Sequence, residues 1–296
     1  MNTQYLNKDL KLKIQKDGYV IISNFLSSNE ILNFRNCISN QKRKESLSIE
    51  GLNSFPIEKK ITDIIKNIVG DKLFYPFLSK PVNELYESQG GKSLMHNDVH
   101  EEIEDYNYDK TINIYNTGIY LQDHDELDGG LKVRPGSHQK ICIENLTFLL
   151  KMKRIIRLIF KKPKNLRYFQ IFRTLLPYKS KNLKIKAGDL VIWNLRLHHS
   201  GNAKRLKFFK NFSLSTYIEN FLPDFFTLKN KVDRMAIFTV YIGECDFKDK
   251  YINTQINEKH IEIWRNSKIN HNNIIQKMEK NKIFPVRKVL AYFSKK

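Results

Sequence analysis

Short segments with strand-like patterns, separated by turn residues, dominate the middle of the chain and constrain its fold more than any other feature. Apolar and polar residues alternate in several of these segments, as expected for half-buried strands. The segments are 83–88, 111–115, 118–122, 190–193 and 213–218, with turn sequences at 128–130, 135–137 and 187–189. Several short strands with intervening turns favour a β-barrel or sandwich over a parallel α/β sheet.

Helical patterns flank this β-rich region on both sides. Ser27 and Glu30 form a capping box before an amphipathic helix, a second helix ends at Gly70, and helical spacing returns after Pro223. The sequence has no internal repeat and no Pro-, Gly- or Ser-rich linker, so we predict one domain over residues 1–296. Its parts are N-terminal helices and a strand (1–75), a β core (76–222) with a basic insert (141–186), and C-terminal helices (223–296).

The formal net charge of +20 is unusual in a composition that is otherwise typical of a globular protein. Such an excess of Lys and Arg favours anionic partners, namely nucleic acid, anionic lipid, or phosphorylated and CoA-linked substrates. The alternative is that Lys and Asn are abundant for reasons unrelated to function.

The cysteines and the N-terminus bear on the cellular compartment. Cys37, Cys142 and Cys245 lack the spacing of a zinc site and are typical of reduced thiols in a cytosolic protein. The N-terminus is polar, unlike a signal peptide, and no apolar run approaches the roughly 20 residues of a membrane-spanning helix. We therefore expect a cytoplasmic location, with peripheral contact at a membrane as the alternative.

A candidate metal site begins with His96 and Asp98, which are separated by one residue and face the same side if this segment is a strand. An imidazole and a carboxylate are two ligands of the 2-His-1-carboxylate facial triad, which binds Fe(II) and leaves positions open. A third ligand is available downstream, where an apolar strand ends at His198 and His199. An H-x-D triplet alone is weakly specific, because three-residue patterns recur by chance.

Four sequence elements occur in a characteristic order. They are Asp17-Gly18-Tyr19-Val20-Ile21, the triplet His96-x-Asp98, the segment from Gly130 to Pro135-Gly136-Ser137-His138, and Gly188-Asp189 followed by a strand that ends at Arg196-Leu197-His198-His199. In this order they make residues 10–245 resemble the phytanoyl-CoA dioxygenase family of Fe(II)/2-oxoglutarate oxygenases. The resemblance implies a double-stranded β-helix (jelly-roll, cupin-like) barrel with flanking helices, a mainly β protein of the α+β class.

The resemblance also implies a third metal ligand. The family's Arg-x-x-His spacing, counted from Arg196, selects His199 and leaves His198 facing outward, since only one of two adjacent strand residues points inward.

The position of the cosubstrate 2-oxoglutarate follows from the same resemblance. In the family an arginine about eleven residues beyond the distal histidine usually binds its far carboxylate; that position is Lys210 here, with Arg205 as the alternative in a shifted register. Lysine neutralises a carboxylate but lacks the bidentate fork of arginine. Tyr120 and Trp193 are candidates for lining the pocket, with core packing as their alternative role.

The implied reaction consumes O2 and 2-oxoglutarate at Fe(II), releases succinate and CO2, and hydroxylates an aliphatic C–H of a small or lipid-linked metabolite. Related iron halogenases lack the carboxylate ligand, so Asp98 favours hydroxylation. Family members with similar Tyr-Leu-Gln-Asp and Gly-Gly-Leu segments are often linked to bacterial natural products or surface sugars, which suggests similar substrates. A degenerate fold that keeps the triad without binding 2-oxoglutarate productively is an alternative.

A basic segment carries the rival hypothesis. Residues 146–188 contain thirteen Lys or Arg and no Asp or Glu, and residues 148–161 have the spacing of a basic amphipathic helix. Such a helix binds membrane surfaces or anionic ligands, or packs its apolar side on the barrel. The rival is thus a non-catalytic basic protein on a degenerate oxygenase fold, which binds a membrane or nucleic acid through residues 146–188. Peripheral membrane contact is expected through residues 146–162. Nucleic acid is disfavoured, because no helix-turn-helix, zinc-finger or RNA-binding motif accompanies the charge.

Overall fold

The computed structural model describes most of the β-rich core together with helices from both flanks. The described residues are 3–39, 52–84, 96–99, 112–124, 130–139, 180–203, 205–208, 223–228, 234–256, 260, 262, 271–286 and 289–290. The strand expected at 213–218 and the basic insert up to residue 179 lie outside these residues.

Helices from both ends of the chain pack beside the sheets. They are α1 (Thr3–Asp17), α2 (Ser28–Ser39), α3 (Lys59–Val69), α4 (Lys248–Gln255) and α5 (His271–Lys280). The capping box before α2 is confirmed: the backbone N–H of Ser27 donates to Glu30 Oε2 (2.7 Å), and the N–H of Glu30 donates to Ser27 Oγ (3.3 Å). In the part of the chain that the structure describes, no helix is long and apolar enough to cross a membrane.

The strands form a large sheet, a smaller facing sheet and a two-stranded ribbon. They are β1 (Tyr19–Ile22), β2 (Leu73–Tyr75), β3 (Ser79–Glu84), β4 (Ile114–Tyr120), β5 (Gly130–Val133), β6 (Lys181–Asn182), β7 (Leu190–Asn194), β8 (His199–Ala203), β9 (Arg205–Leu206), β10 (Thr227–Leu228), β11 (Arg234–Ile242) and β12 (Ile283–Pro285). The large sheet has the order β1-β7-β4-β11-β2-β12, with β3 also paired to β11; the small sheet is β6-β5-β8, and β9 pairs with β10.

The two faces of the large sheet bury two different clusters, because successive strand residues point to opposite sides. In β7, Leu190 and Ile192 join the larger helix-side cluster, whereas Val191 and Trp193 join a smaller cluster between the sheets. We call the latter the barrel cluster; its members are Tyr19, Tyr120, Leu131, Val133, Leu183, Ile185, Val191, Trp193, Leu197 and Ala236. The barrel cluster is the interior that faces the candidate site.

The structure differs from the expected β core at three places. A single strand, β4 (Ile114–Tyr120), stands where two strands were expected at 111–115 and 118–122, and it is buried along its whole length. The large sheet continues beyond the expected boundary at residue 222, since β11 begins at Arg234 and pairs with β4 on one side and with β3 and β2 on the other. The barrel also includes the end of the predicted insert (141–186), because β6 and the buried Leu183 and Ile185 belong to it.

The physical reason for missing β11 is its burial. Residues Arg234–Ala236 are all buried, and so are Tyr241 and Ile242, so the segment reads as a nearly continuous apolar run instead of an alternating one. Such runs are typical of strands covered on both faces, and their periodicity alone does not distinguish them from buried helices.

Candidate active site

His96, Asp98 and His199 lie together, with one ligand atom of each within 4.8 Å of the others. The backbone brings them together. The N–H of His96 donates to the carbonyl of His199 (2.9 Å), the N–H of His199 donates to the carbonyl of His96 (2.8 Å), and the N–H of Asp98 donates to the carbonyl of Leu195 (3.1 Å). The segment around His96 is an isolated β-bridge and not the regular strand that the H-x-D spacing suggested.

The three side chains are arranged as ligands of one ion. His96 Nε2 lies 3.7 Å from Asp98 Oδ1, and His199 Nε2 lies 3.4 Å from Asp98 Oδ2. Protein nitrogen and oxygen ligands lie about 2.0–2.2 Å from a bound transition metal, so atoms up to about 4 Å apart can contact the same ion. Two imidazoles and one carboxylate with open positions are the donor set that non-haem Fe(II) takes in proteins. The residues present therefore fit Fe(II).

His199 is held in the form that a metal requires. Its Nδ1 donates to the carbonyl of Leu197 (3.1 Å), which leaves the lone pair on Nε2, the atom nearest to Asp98. Burial lowers the pKa of His199 below its usual value, and the neighbouring Asp98 opposes this shift. The imidazole is consequently neutral at neutral pH and can bind a metal without first losing a proton.

The Pro-Gly-Ser-His element supports the strand that carries His199. Ser137 Oγ accepts a hydrogen bond from the backbone N–H of His198 (2.8 Å), and the N–H of Arg134 donates to the carbonyl of His198 (2.9 Å). His138 Nε2 donates to the carbonyl of Gln15 in α1 (3.0 Å). This element therefore links α1 to the segment that enters β8. Of the two adjacent histidines, His199 and not His198 belongs to the group that includes His96 and Asp98.

An aromatic wall extends from the three convergent side chains along the large sheet. The Trp193 ring lies 5.5 Å from the His199 ring and 6.2 Å from the Phe238 ring, and Phe238 lies 6.0 Å from Tyr120. Gly118 lies between these rings on β4; a Cβ there would come within 2.9 Å of Phe238 and 3.2 Å of Trp193. The missing side chain allows the rings to pack close to the strand.

Arg234, the first residue of β11, lies at the far end of this wall. Its guanidinium is 5.6 Å from the centre of the Phe238 ring, and its terminal nitrogens lie 3.5 Å from the place of a Cβ on Gly201. Gly201 follows His199 by two residues on β8, a distance of about 7 Å along a strand. The buried cation therefore lies against the strand that carries His199, beside the residue two positions further along it.

Polar atoms face the same space. The Tyr120 hydroxyl is buried beside the Arg234 guanidinium, and among the described residues the Trp193 indole N–H is buried without a hydrogen-bond partner. Burial raises the pKa of Tyr120, and the charge of Arg234 and a hydrogen bond with it oppose this effect. A buried guanidinium with a hydroxyl next to it is suited to a carboxylate ligand.

Arg234 was not among the residues predicted from the sequence, because the connection that precedes it is long. Residues 204–233, which include β9 and β10, separate β8 from β11, so counting eleven residues from His199 stops well before the strand that returns to the barrel. Lys210 lies outside the described residues, and so does the side chain of Arg205, whose backbone pairs with Leu228. Both remain predictions. The apolar run after Arg234 is the signal that would have identified a strand beginning with a cation.

Comparison with solved structures finds three examples of similar chains. HygX from Streptomyces hygroscopicus, with nickel and 2-oxoglutarate bound, is 11% identical, with a TM-score of 0.51 over 80% of this chain and 86% of HygX. SnoK, an α-ketoglutarate-dependent carbocyclase of nogalamycin biosynthesis, is 16% identical (TM-score 0.49, 82% and 86%). EctD from S. alaskensis, with 2-oxoglutarate and 5-hydroxyectoine, is 11% identical (TM-score 0.46, 79% and 74%). The likeness to HygX confirms the predicted fold and, at this identity, nothing more.

The sequence itself identifies the family. No curated protein is significantly similar to the chain. The sequence model of the phytanoyl-CoA dioxygenase (PhyH) family matches residues 39–210, more than half of the 296 residues, and this stretch includes all three convergent side chains. The chain therefore belongs to the phytanoyl-CoA dioxygenase (PhyH) family of iron- and 2-oxoglutarate-dependent oxygenases.

Proposed function

We propose that this protein hydroxylates an aliphatic C–H of a small or lipid-linked metabolite, with Fe(II) held by His96, Asp98 and His199. The observation that carries the proposal is the convergence of these three side chains within 4.8 Å of one another. As a facial triad they would occupy one face of the iron and leave its other positions open for 2-oxoglutarate and O2.

Arg234 is the proposed anchor for the far carboxylate of 2-oxoglutarate. Its support is its burial, its place about two strand residues beyond His199, and the Tyr120 hydroxyl close to it. An arginine presents two parallel N–H donors to a carboxylate, whereas a lysine presents a point charge. Arg234 would put an arginine in this role, as in the family, although it lies much further along the chain from His199 than the usual eleven residues; Lys210 and Arg205 become the alternatives to test.

The remaining roles follow from what each group touches. When bound, iron and 2-oxoglutarate would activate O2 for attack on the C–H bond; one oxygen atom would enter the substrate hydroxyl and the other would enter succinate, which leaves with CO2. The Trp193 and Phe238 rings line the space between His199 and Arg234, where they exclude water and strengthen the attraction between Arg234 and a carboxylate. Tyr120 donates its buried O–H to the same carboxylate.

The substrate class is supported by charge. The net charge of +20 favours an anionic substrate or a lipid-linked one held at an anionic surface. Contact with a membrane through residues 146–162 belongs to the same proposal. It predicts salt-sensitive binding to anionic vesicles that is lost when Arg154, Arg157 and Lys161 are neutralised.

The test uses purified protein, loaded with Fe(II) in the absence of oxygen and titrated with 2-oxoglutarate. A visible charge-transfer band should appear, and it should be absent in His199→Ala. In Arg234→Ala the 2-oxoglutarate concentration for half-maximal band should rise at least about tenfold, because a hydrogen bond to a charged group contributes roughly 1.5–3 kcal/mol. For Arg234→Lys the half-maximal 2-oxoglutarate concentration should lie between those of the wild-type protein and Arg234→Ala.

Lys210→Ala and Arg205→Ala are the matched controls, since each removes one cation from the same connection between β8 and β11. They should leave the titration unchanged. A large effect of Lys210→Ala together with none of Arg234→Ala would move the anchor to Lys210. If the wild-type protein binds Fe(II) but shows no band, the proposed binding of 2-oxoglutarate is wrong. If it binds no iron, the proposed metal centre is wrong.

A further inference from the structure

Asp98 accepts a hydrogen bond from a residue that is not one of the three proposed metal ligands. The side-chain amide of Asn116 donates a short hydrogen bond to Asp98 Oδ2. The same oxygen faces His199 Nε2 at 3.4 Å, and Oδ1 faces His96 Nε2 at 3.7 Å. Each carboxylate oxygen therefore has a defined neighbour.

The position of Asn116 is fixed by the centre of the large sheet. Asn116 pairs with Trp193 of β7 on one side and with Val240 of β11 on the other, and it is 9% exposed. It shares an inward face with Gly118 and Tyr120, which follow at intervals of two residues. A rigid strand thus holds the amide, whereas Asp98 lies outside regular structure with a half-buried side chain.

The chemistry of an amide suits this position. A free carboxylate binds a metal through one oxygen or through both, and binding through both occupies a position needed by cosubstrate or O2. A donor on Oδ2 engages its lone pairs and favours binding through a single oxygen. An amide also adds no charge, unlike Lys or Arg, and therefore does not reduce the attraction between Asp98 and a cation.

We propose that Asn116 is a positioning residue that orients Asp98 as a one-oxygen ligand and keeps the neighbouring coordination positions open. The proposal rests on the metal site described above, and it assigns to β4 a part in building that site. Groups that orient metal ligands typically change metal affinity about 10- to 100-fold when they are removed.

The test replaces Asn116 by Leu, which keeps the volume and removes the donor, and by Ser, whose hydroxyl is too short to reach Oδ2. Metal affinity is measured by titration with Co(II), whose visible ligand-field spectrum reports coordination. Both variants should bind Co(II) roughly 10- to 100-fold more weakly. Their spectra should differ from the wild-type spectrum in band position, because Asp98 changes its mode of binding.

Thr117→Val is the control. Thr117 neighbours Asn116 on β4 but points to the other side, where its Oγ1 donates to the carbonyl of Thr239 (3.1 Å). The control should disturb the strand without touching Asp98, and it should leave Co(II) affinity and spectrum unchanged. Thermal unfolding of every variant without metal separates loss of fold from loss of binding.

The outcomes distinguish the two proposals. If the wild-type protein binds no Co(II), the metal site itself is wrong. If the wild-type and both Asn116 variants bind Co(II) with the same affinity and spectrum, the inference is overturned while the metal site stands. Variants that keep the Co(II) spectrum but lose 2-oxoglutarate binding would also overturn it, since Asn116 would then contact the cosubstrate instead of Asp98.

Discussion

The two faces of the large sheet differ in how they treat buried polar groups. On the helix side the Tyr241 hydroxyl donates to the carbonyl of Pro56 (2.7 Å) and lies among aliphatic side chains. On the barrel side the Tyr120 hydroxyl lies beside the buried guanidinium of Arg234, and its neighbour is thus a charged side chain instead of a backbone carbonyl. A hydroxyl next to a cation can also donate to a bound carboxylate. The barrel side therefore holds polar groups that suit the ligand proposed to bind there.

This difference assigns separate tasks to alternating residues of the same strands. In β4, Ile119 packs in the helix-side cluster, whereas Tyr120 packs in the barrel cluster. Proteins depart from ideal core chemistry mainly at functional sites, so a change on one face should affect stability and a change on the other should affect binding.

The largest effect is expected on the helix side, for Ile65→Ala. Ile65 in α3 is fully buried, and its truncation should lower the free energy of unfolding by about 2–5 kcal/mol, measured by urea denaturation. The affinity of the folded fraction for Fe(II) should not change. Weaker Fe(II) binding by fully folded Ile65→Ala protein would contradict the idea that the helix side affects stability and the barrel side affects binding.

A smaller effect is expected for Tyr120→Phe on the barrel side, and it should weaken ligand binding instead of stability. The apparent affinity for 2-oxoglutarate should fall roughly tenfold, because one hydrogen bond to a carboxylate is lost. The midpoint of thermal unfolding without ligand should change little, since the lost hydroxyl contacts the Arg234 side chain and not the backbone that pairs the strands. Destabilisation without a change in 2-oxoglutarate affinity would place the hydroxyl in the fold and not in the pocket.

The smallest effect is expected from pH, through His138 between α1 and the barrel. Burial lowers the pKa of His138; its hydrogen bond to Gln15 and the charge of Asp17 oppose this, and Arg196 adds to it. The unfolded chain therefore takes up this proton more readily. Stability should decrease as pH falls from about 6.5 towards the lower folded pKa. His138→Gln should reduce that part of the pH dependence in urea denaturation, and an unchanged profile would contradict it.

The features that were predicted from the sequence depend on residues close together in the chain or on the resemblance to a family. The capping box of Ser27 and Glu30 depends on residues three apart, and its hydrogen bonds form as expected. His96, Asp98 and His199 were chosen from a short spacing and from resemblance, and the structure brings them together.

Residues whose roles depend on long connections could not be predicted. Arg234 reaches the barrel interior only because β11 returns to the large sheet after the long connection of residues 204–233. Asn116 lies within a strand buried on both faces, where a polar residue carries no spacing signal. Only the pairing of β4 with β7 and β11 brings its amide to Asp98.

The inward face of β4 has a consequence for folding fidelity. Asn116 and Tyr120, four residues apart on that face, contact opposite ends of the proposed site, one at Asp98 and the other near Arg234. A slip of one residue in strand pairing would turn both outward together and replace them with Tyr115, Thr117 and Ile119. Misregistered chains could then hold neither ligand well. Iron and 2-oxoglutarate would selectively stabilise correctly paired molecules, so cofactor supply would act as a quality check on newly made protein.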